Sequence, residues 1–293
     1  MVKPFVKWAG GKGNLLKILE SNLPYNFAEL QDVTYIEPFV GGGAMLFYML
    51  TKYPNIKRAI INDVNTDLIN CYKLIKNDPT KLIALLKHIK DEFYELMSID
   101  EKSKYYYKIR EKYNEGICDI EERASYFIFL NKTCFNGLYR VNAKGKFNVP
   151  FGKYQKPNIC DEDLIFSVHK LLQSVDIYEG SYQNIIQYIG ENYNFLYIDP
   201  PYRPLLGSPS FIEYTQKIFD DTEQEKLKLY CDLLTQRGAM IMQSNSNSID
   251  CCGDSYFEKL YKGYRIKQIE AHRFINAHAG KREKEIELLI MNY

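Results

Sequence analysis

An acid, two prolines and a tyrosine, Asp199-Pro200-Pro201-Tyr202, close the apolar run Phe195 to Ile198. Ligands of open α/β sheets bind beyond the carboxyl ends of the strands, so a strand ending here carries Asp199 into such a crevice. Neither proline has a backbone N–H, and Pro201 forces Pro200 into an extended conformation, so the ladder stops and the backbone is stiff. The Asp199 carboxylate and the Pro200 carbonyl then become two fixed acceptors, with the Tyr202 ring as a flat face beside them. That combination suits a planar amino group such as the exocyclic amine of a nucleobase. The lone pair of such an amine is delocalised and weakly nucleophilic. Acceptors that grip its hydrogens can turn the lone pair towards an electrophile. If the electrophile is a sulfonium methyl, in-line alignment in a desolvated pocket matters more than a strong base. By itself the tetrapeptide also reads as a plain turn.

A second constellation lies upstream. "YIEPFVGGGAMLF" places glycines between a strand and a helix, where backbone can pass close to a ligand of a doubly wound sheet. It lacks the full G-x-G-x-x-G spacing, and the alternative is a tight turn. Asp63 ends the next strand, the place from which a carboxylate reaches ribose hydroxyls. Its alternative is a solvated loop residue or a cap for "VNTDLI". Together the pair suggests an adenosine-containing cofactor.

A third signal is charge. Residues 131–158 hold Lys132, Arg140, Lys144, Lys146, Lys153 and Lys156 with no Asp or Glu, interleaved with Phe135, Tyr139, Phe147, Phe151 and Tyr154. Phosphate contact is the economical explanation, and aromatic side chains among the cations could wedge between bases. A solvated face is the alternative. The first 19 residues add Lys3, Lys7, Lys12 and Lys17 without an acid.

The elements that must position these residues fall into two α/β stretches around a different middle. Strands are expected at Val33 to Ile36, Ala59 to Ile61, 174–178, 195–198 and 239–243, with a closing pair near 264–270 and 285–291. Helices open at Ala44 and run over about 222–236. From about 67 to 130 the spacing turns helical with mixed charge, clearest near 80–97 and 121–130. Asn136-Gly137 and Lys144-Gly145 then predict turns of a hairpin. No repeat or Ser/Gly linker separates the middle from its flanks, so it is expected to pack against the sheet.

Composition removes several classes. At 293 residues there is ample material for a core, and 46% hydrophobic with 26% charged content excludes disorder. A net charge of +1 is silent about nucleic acid, since only the clustering of cations matters. Seven cysteines form no C-x-x-C pair, and with four histidines they show neither zinc spacing nor a disulfide ladder, so no metal is expected. "MVKPFVKWAGGKGNLL" has no apolar leader and no 18-residue apolar run occurs, which predicts a cytoplasmic protein without membrane contact.

Five segments together resemble the Dam-like, D12-class adenine-N6 DNA methyltransferases: "FVKWAGGK" at 5–12, "YIEPFVGGG" at 35–43, "INDVN" at 61–65, "FNGLYRVNAKGKFNVPFGKY" at 135–154 and "DPPY" at 199–202. They stand in that family's order and cover most of the chain. The resemblance implies a Rossmann-like α/β S-adenosylmethionine-dependent sheet, formed by 1–66 and 161–293, with an inserted helical and β-hairpin DNA-recognition domain at 67–160. It implies catalysis by Asp199, Pro200, Pro201 and Tyr202, on an adenine of double-stranded DNA flipped out of the stack. It implies S-adenosyl-L-methionine held by Trp8, Lys12, Glu37, Phe39, Gly41, Gly43, Asp63, Ser181, Tyr182 and Asp199. For Trp8 the residues alone suggest a core aromatic. DNA contact falls to Lys7, Phe135, Asn136, Leu138, Arg140, Pro150 and Tyr154, with Arg140 suited to bidentate readout of a guanine. The "FNGLYR" hairpin resembles GATC-directed members, and a companion restriction endonuclease fits a bacterial or phage setting. "FIEYTQKIFD" at 211–220 and "HRFINAHAGKREKEIELL" at 272–289 match the family pattern loosely. The competing readings are an RNA-base or protein-amide methyltransferase with the same acceptor pair, and a non-catalytic DNA-binding module.

Overall fold

Val33–Glu37 and Asn194–Ile198 are buried at every position, the mark of strands covered on both faces, and they pair in parallel at the centre of the sheet. These are β1 and β4 in a computed structural model that describes residues 1–203, 219–249, 253–272 and 284–293. Among the described residues the sheet is completed by β2 (Ile56–Asp63), β3 (Val175–Glu179), β5 (Met240–Ser246), β6 (Arg265–His272) and β7 (Lys284–Met291). The order is β3-β2-β1-β4-β5-β7-β6, with β7 antiparallel to both of its neighbours. The chain winds outward from β1 to β3 and returns to place β4 beside β1, so the order reverses between β1 and β4. That reversal opens a crevice at the carboxyl ends of the two strands. With Ile36 opposite Leu196, Glu37 and Asp199 leave the sheet at adjacent strand ends.

Side chains alternate between the two faces. Tyr35, Phe195 and Tyr197 join a core with α2 (Ala44–Lys52), α3 (Thr66–Asn77) and α7 (Glu162–Leu172). Ile36, Leu196 and Ile198 join a second core with Leu227, Tyr230 and Leu234 of α8 (Asp221–Gln236) and Phe257 of α9 (Tyr256–Leu260). Helices on both faces of a mainly parallel sheet make a Rossmann-like α/β sandwich, as expected. The short α1 (Leu16–Glu20) packs on α2. Helix starts follow local chemistry: Asn65, Asp78, Asp119, Asp161 and Asp220 each accept a backbone N–H of the first turn. β2 is longer than the Ala59 to Ile61 expected, because Ile56 and Arg58 also pair with β1.

The middle of the chain is helical as expected, with α4 (Pro79–Glu95), α5 (Ile99–Glu115) and α6 (Ile120–Thr133). α6 is buried from Ala124 to Asn131, and α3, α4 and α5 pack around it. Arg123 of α6 grips the Asp67 carboxylate of α3 with two nitrogens, and the Tyr113 hydroxyl of α5 donates to the same carboxylate.

The segment after α6 folds back on itself as the expected hairpin, in short stretches. Antiparallel bridges join Cys134 with Phe151 and Val141 with Phe147, and the N–H groups of Phe135, Gly152, Asn142 and Asn148 donate to the carbonyls of Pro150, Thr133, Lys146 and Arg140. Its returning side is also bound by α5. Lys102, Tyr106, Arg110 and Asn114 recur every fourth residue on one side of that helix. They donate to the carbonyls of Gln155, Val149, Val149 and Phe147 at 2.8, 2.8, 3.1 and 3.0 Å. Asn114 Oδ1 also accepts the Phe147 N–H (2.8 Å). A helix face thus satisfies backbone groups that the short hairpin pairing leaves over. Both expected turns form. Asn136 and Gly137 have φ of 55° and 65° under a Leu138 N–H to Phe135 carbonyl bond of 3.2 Å, and Gly145 N–H donates to the Asn142 carbonyl at 2.8 Å.

Candidate active site and nucleic-acid face

β4 delivers Asp199 to the crevice, and Lys12 meets it there across 187 residues of sequence. The Lys12 ammonium, 6% exposed, lies 2.8 Å from Asp199 Oδ1, donates to the Gly10 carbonyl (2.8 Å) and stands 4.8 Å from the centre of the Tyr202 ring. A cation therefore rests between the acid and the aromatic face that the sequence assigns to a planar amine. Burial pushes the Asp199 carboxyl above its usual range, while the Lys12 charge pulls it down. The Tyr202 hydroxyl donates to Glu287 Oε2 at 2.7 Å, which fixes the ring from its far end. Glu287, on β7, is buried and was not anticipated.

Glu37 ends β1 beside this group. Burial pushes its carboxyl up to about 8; the Tyr35 hydroxyl, donating to Oε1 at 2.5 Å, opposes the shift, and the Asp199 charge adds to it. The expected spacing between Gly41 and Asp63 is a direct contact: Gly41 N–H donates to Asp63 Oδ2 (3.0 Å) and Asn65 N–H donates to Oδ1 (2.9 Å). The carboxylate clamps the glycine turn to the end of β2.

A protein neighbour also requires a glycine at 41. At φ 49°, a Cβ there would stand 2.8 Å from the Trp8 ring. Gly43 caps α2 beneath the Tyr72 hydroxyl, which donates to the Gly41 carbonyl (3.0 Å). Trp8 is partly buried and stacks on Tyr139 with centroids 5.6 Å apart at 22°, so it joins the glycine turn to the ribbon after α6. On the other side of the turn the Phe39 ring lies 5.0 Å from Tyr182, and Ser181 caps the 3₁₀ turn that carries Tyr182. The Tyr182 hydroxyl is buried without a hydrogen-bond partner among the described residues.

S-adenosyl-L-methionine fits this chemistry. Phe39 and Tyr182 would give its adenine flat walls, the buried Tyr182 hydroxyl would give it a polar contact, and Glu37 and Asp199 would face its cationic end. Trp8 stacks on the ribbon beside the glycine turn, and the Lys12 ammonium pairs with Asp199.

The ribbon presents the other expected set. Phe135 is 51% exposed beside exposed Asn136, and its N–H donates to the Pro150 carbonyl (2.9 Å). Arg140 Nε donates to Asn148 Oδ1 (2.8 Å), while Leu138 is half-buried against the core. The Lys7 ammonium lies 4.9 Å from the centre of the Tyr154 ring. Buried Asn131, also not anticipated, ties the two segments. It accepts the Lys7 N–H (2.8 Å) and donates to the carbonyls of Lys7 (2.7 Å) and Gly137 (3.1 Å). Residues 7–12 thus run from the basic ribbon to Asp199. The segment 211–220, apart from Phe219 and Asp220, and most of 272–289 lie outside the described residues.

The profile of the family described as D12 class N6 adenine-specific DNA methyltransferase matches residues 8–275. Among curated proteins, the type II methyltransferase M.MjaIII of Methanocaldococcus jannaschii is 48% identical over 297 residues, spanning 100% of this chain and 99% of the relative. The type II methyltransferase M1.LlaDCHI of Lactococcus lactis subsp. cremoris is 35% identical over 100% of this chain and 96% of its own length. A DNA adenine methylase of Vibrio cholerae serotype O1 is 30% identical over 99% and 95%.

Proposed function

The chain belongs to the D12 class of N6 adenine-specific DNA methyltransferases, enzymes that use S-adenosyl-L-methionine, and on that premise we propose that it methylates the adenine of GATC after extruding it to the Asp199 corner. The observation that carries this reading is the seat of the Lys12 ammonium, between the Asp199 carboxylate and the Tyr202 face, at the inner end of a segment that begins at the basic ribbon.

In this reading the base takes that seat. Asp199 Oδ1 and the Pro200 carbonyl accept the two N6 hydrogens, which lifts the lone pair out of the ring plane. Tyr202, held by Glu287, stacks on the base. When bound, the cofactor supplies an electrophilic sulfonium methyl. No base acts beforehand; the surplus N6 proton leaves after transfer, and the raised affinity of Asp199 for protons suits it to accept that proton on Oδ1. An amine inside a stacked duplex cannot reach this corner, and extrusion costs about a few kcal/mol, which contacts from the ribbon must offset.

The division of labour follows: 1–66 and 161–293 transfer the methyl, and 67–160 recognises the target. Phe135, Asn136, Leu138, Arg140, Pro150, Tyr154 and Lys7 face the duplex, and Trp8, Lys12, Glu37, Phe39, Gly41, Gly43, Asp63, Ser181 and Tyr182 surround the cofactor. GATC is supported by the resemblance of "FNGLYR" to GATC-directed members, and a companion restriction endonuclease by kinship with proteins named type II methyltransferases. No helix among the described residues is long and apolar enough to cross a membrane, and action on chromosomal DNA in the cytoplasm is part of the proposal.

The test is transfer of labelled methyl with duplex DNA, RNA and protein in competition, with 2-aminopurine at the target position reporting extrusion. Label on duplex adenine with a rise in fluorescence is expected. Label on RNA or protein, or no label despite cofactor binding, contradicts the proposal.

A further inference from the structure

Behind the catalytic corner lies a chain of buried amides that the chemistry above leaves unused. Gln224 of α8 and Asn245 of β5 have no solvent exposure. Gln224 Nε2 donates to the Pro201 carbonyl (3.1 Å), and Gln224 Oε1 accepts from Asn245 Nδ2 (3.2 Å). Asn245 Oδ1 accepts the N–H of Arg203 (3.3 Å) and of Ser246 (2.9 Å). Ser246 Oγ returns to the Arg203 carbonyl at 2.6 Å. Three backbone groups on either side of Tyr202 are therefore bonded to side chains from two other elements.

The need for this follows from the prolines. Pro200 and Pro201 have no N–H, so two successive residues of the corner offer no backbone donor to the sheet. The side chains attach at the carbonyl of Pro201 and at both backbone groups of Arg203, on the two sides of Tyr202. The chain also has a sense. A reversed Gln224 amide would set its oxygen against the Pro201 carbonyl and its NH2 against the Asn245 NH2, so the two amides fix each other. Apolar residues of similar volume would fill the same space without fixing a direction.

We propose that Gln224 and Asn245 are positioning residues for methyl transfer, holding Pro201 to Arg203 so that Tyr202 and Asp199 keep their heading towards the target amine. This rests on the methyltransferase reading above. Neither residue touches substrate; both act through the corner.

The experiment is steady-state and single-turnover methylation of duplex DNA by the parent, Gln224→Met, Gln224→Glu and Gln224→Met/Asn245→Leu, with melting temperatures and cofactor Kd measured in parallel. A displaced reacting group loses up to about 100-fold in rate, so kcat is expected to fall roughly 10- to 100-fold. KM for DNA and cofactor Kd should stay within about twofold of the parent. The double variant should be at least as slow as Gln224→Met, since it also removes the acceptor of the Arg203 N–H. Ser246→Ala removes only the Arg203 carbonyl bond and serves if the amide variants fail to fold; it should lose kcat more mildly at unchanged KM. Folded variants with parental kcat and a lowered melting temperature would overturn the inference, leaving the amides as packing. A parent that transfers no methyl to DNA overturns the reading it rests on, and this inference with it.

Discussion

At the Asp199 corner the backbone of 201–203 is held by Gln224, Asn245 and Ser246, and along 147–155 the backbone is held by Lys102, Tyr106, Arg110 and Asn114. Neither region is held by a full ladder, the corner because of its prolines and the ribbon because its pairing is confined to short stretches, and both obtain further hydrogen bonds from a helix behind them. What they present forward differs. The corner shows an acid, a carbonyl and a ring in a partly buried crevice; the ribbon shows exposed cations and Phe135 with no acid among them. A buried acid beside a single ammonium can direct one amine, whereas exposed cations on a long surface can follow a phosphate backbone. Substitutions in the corner should therefore change the rate of chemistry, and those in the ribbon should change which DNA is chosen and how salt weakens it.

Asp199→Ala should break the comparison most severely. It removes the central acceptor and leaves the Lys12 ammonium without its ion pair, and kcat should fall about 1000-fold or more while DNA binding persists, as single-turnover methylation and filter binding would read. Glu37→Gln comes next and acts on stability. The folded carboxyl titrates at about 8 against an ordinary value near 4.5, so the folded state holds a proton that the unfolded chain releases in between. The stability contribution of this group is complete below pH 4.5 and is lost as pH rises towards 8. At pH 7 the glutamine should raise unfolding free energy by roughly 3 kcal/mol, an advantage that shrinks towards pH 4.5, checked by urea titrations across that range. The same variant should bind cofactor more weakly than the parent only above about pH 8, where the parent carboxyl is ionised.

On the ribbon, Arg140→Ala should relax discrimination at one base pair by about 1 to 3 kcal/mol with kcat on the best site retained. Methylation of a set of singly substituted sites would measure it, and an unchanged preference would remove Arg140 from recognition. Lys7→Ala should have the smallest effect. Binding should weaken evenly across sequences, with the slope of log affinity against log salt reduced by about one. A change of site preference there would blur the line between phosphate grip and base reading.

The parts of this molecule legible in its sequence are those where one local rule acts alone. β1 and β4 are short apolar runs buried on both faces, and the prolines at 200–201 mark where β4 must stop. The Asn136-Gly137 turn was likewise readable, since few other residue pairs accept two positive φ values in succession. What escaped depends on distant partners. Glu287 lies in an alternating run that reads as a polar face, but β7 sits between β5 and β6 with helices above, so the glutamate is buried against Tyr202. Gln224 reads as the outer face of an amphipathic helix, and Asn131 as a polar residue at a helix end. The four-residue recurrence of Lys102, Tyr106, Arg110 and Asn114 was a usable signal, because one helix side mixing donors with an aromatic can bind a backbone. The crowding of the glycine at 41 by Trp8 is a pairing no spacing rule contains.

The account stands or falls on the modified base and its context. Single-molecule sequencing of DNA from methylation-deficient cells that express this chain reports both at once. N6-methyladenine confined to GATC, and absent when Asp199→Ala is expressed instead, is the predicted result; no modified adenine, or modification that survives the loss of Asp199, would contradict it.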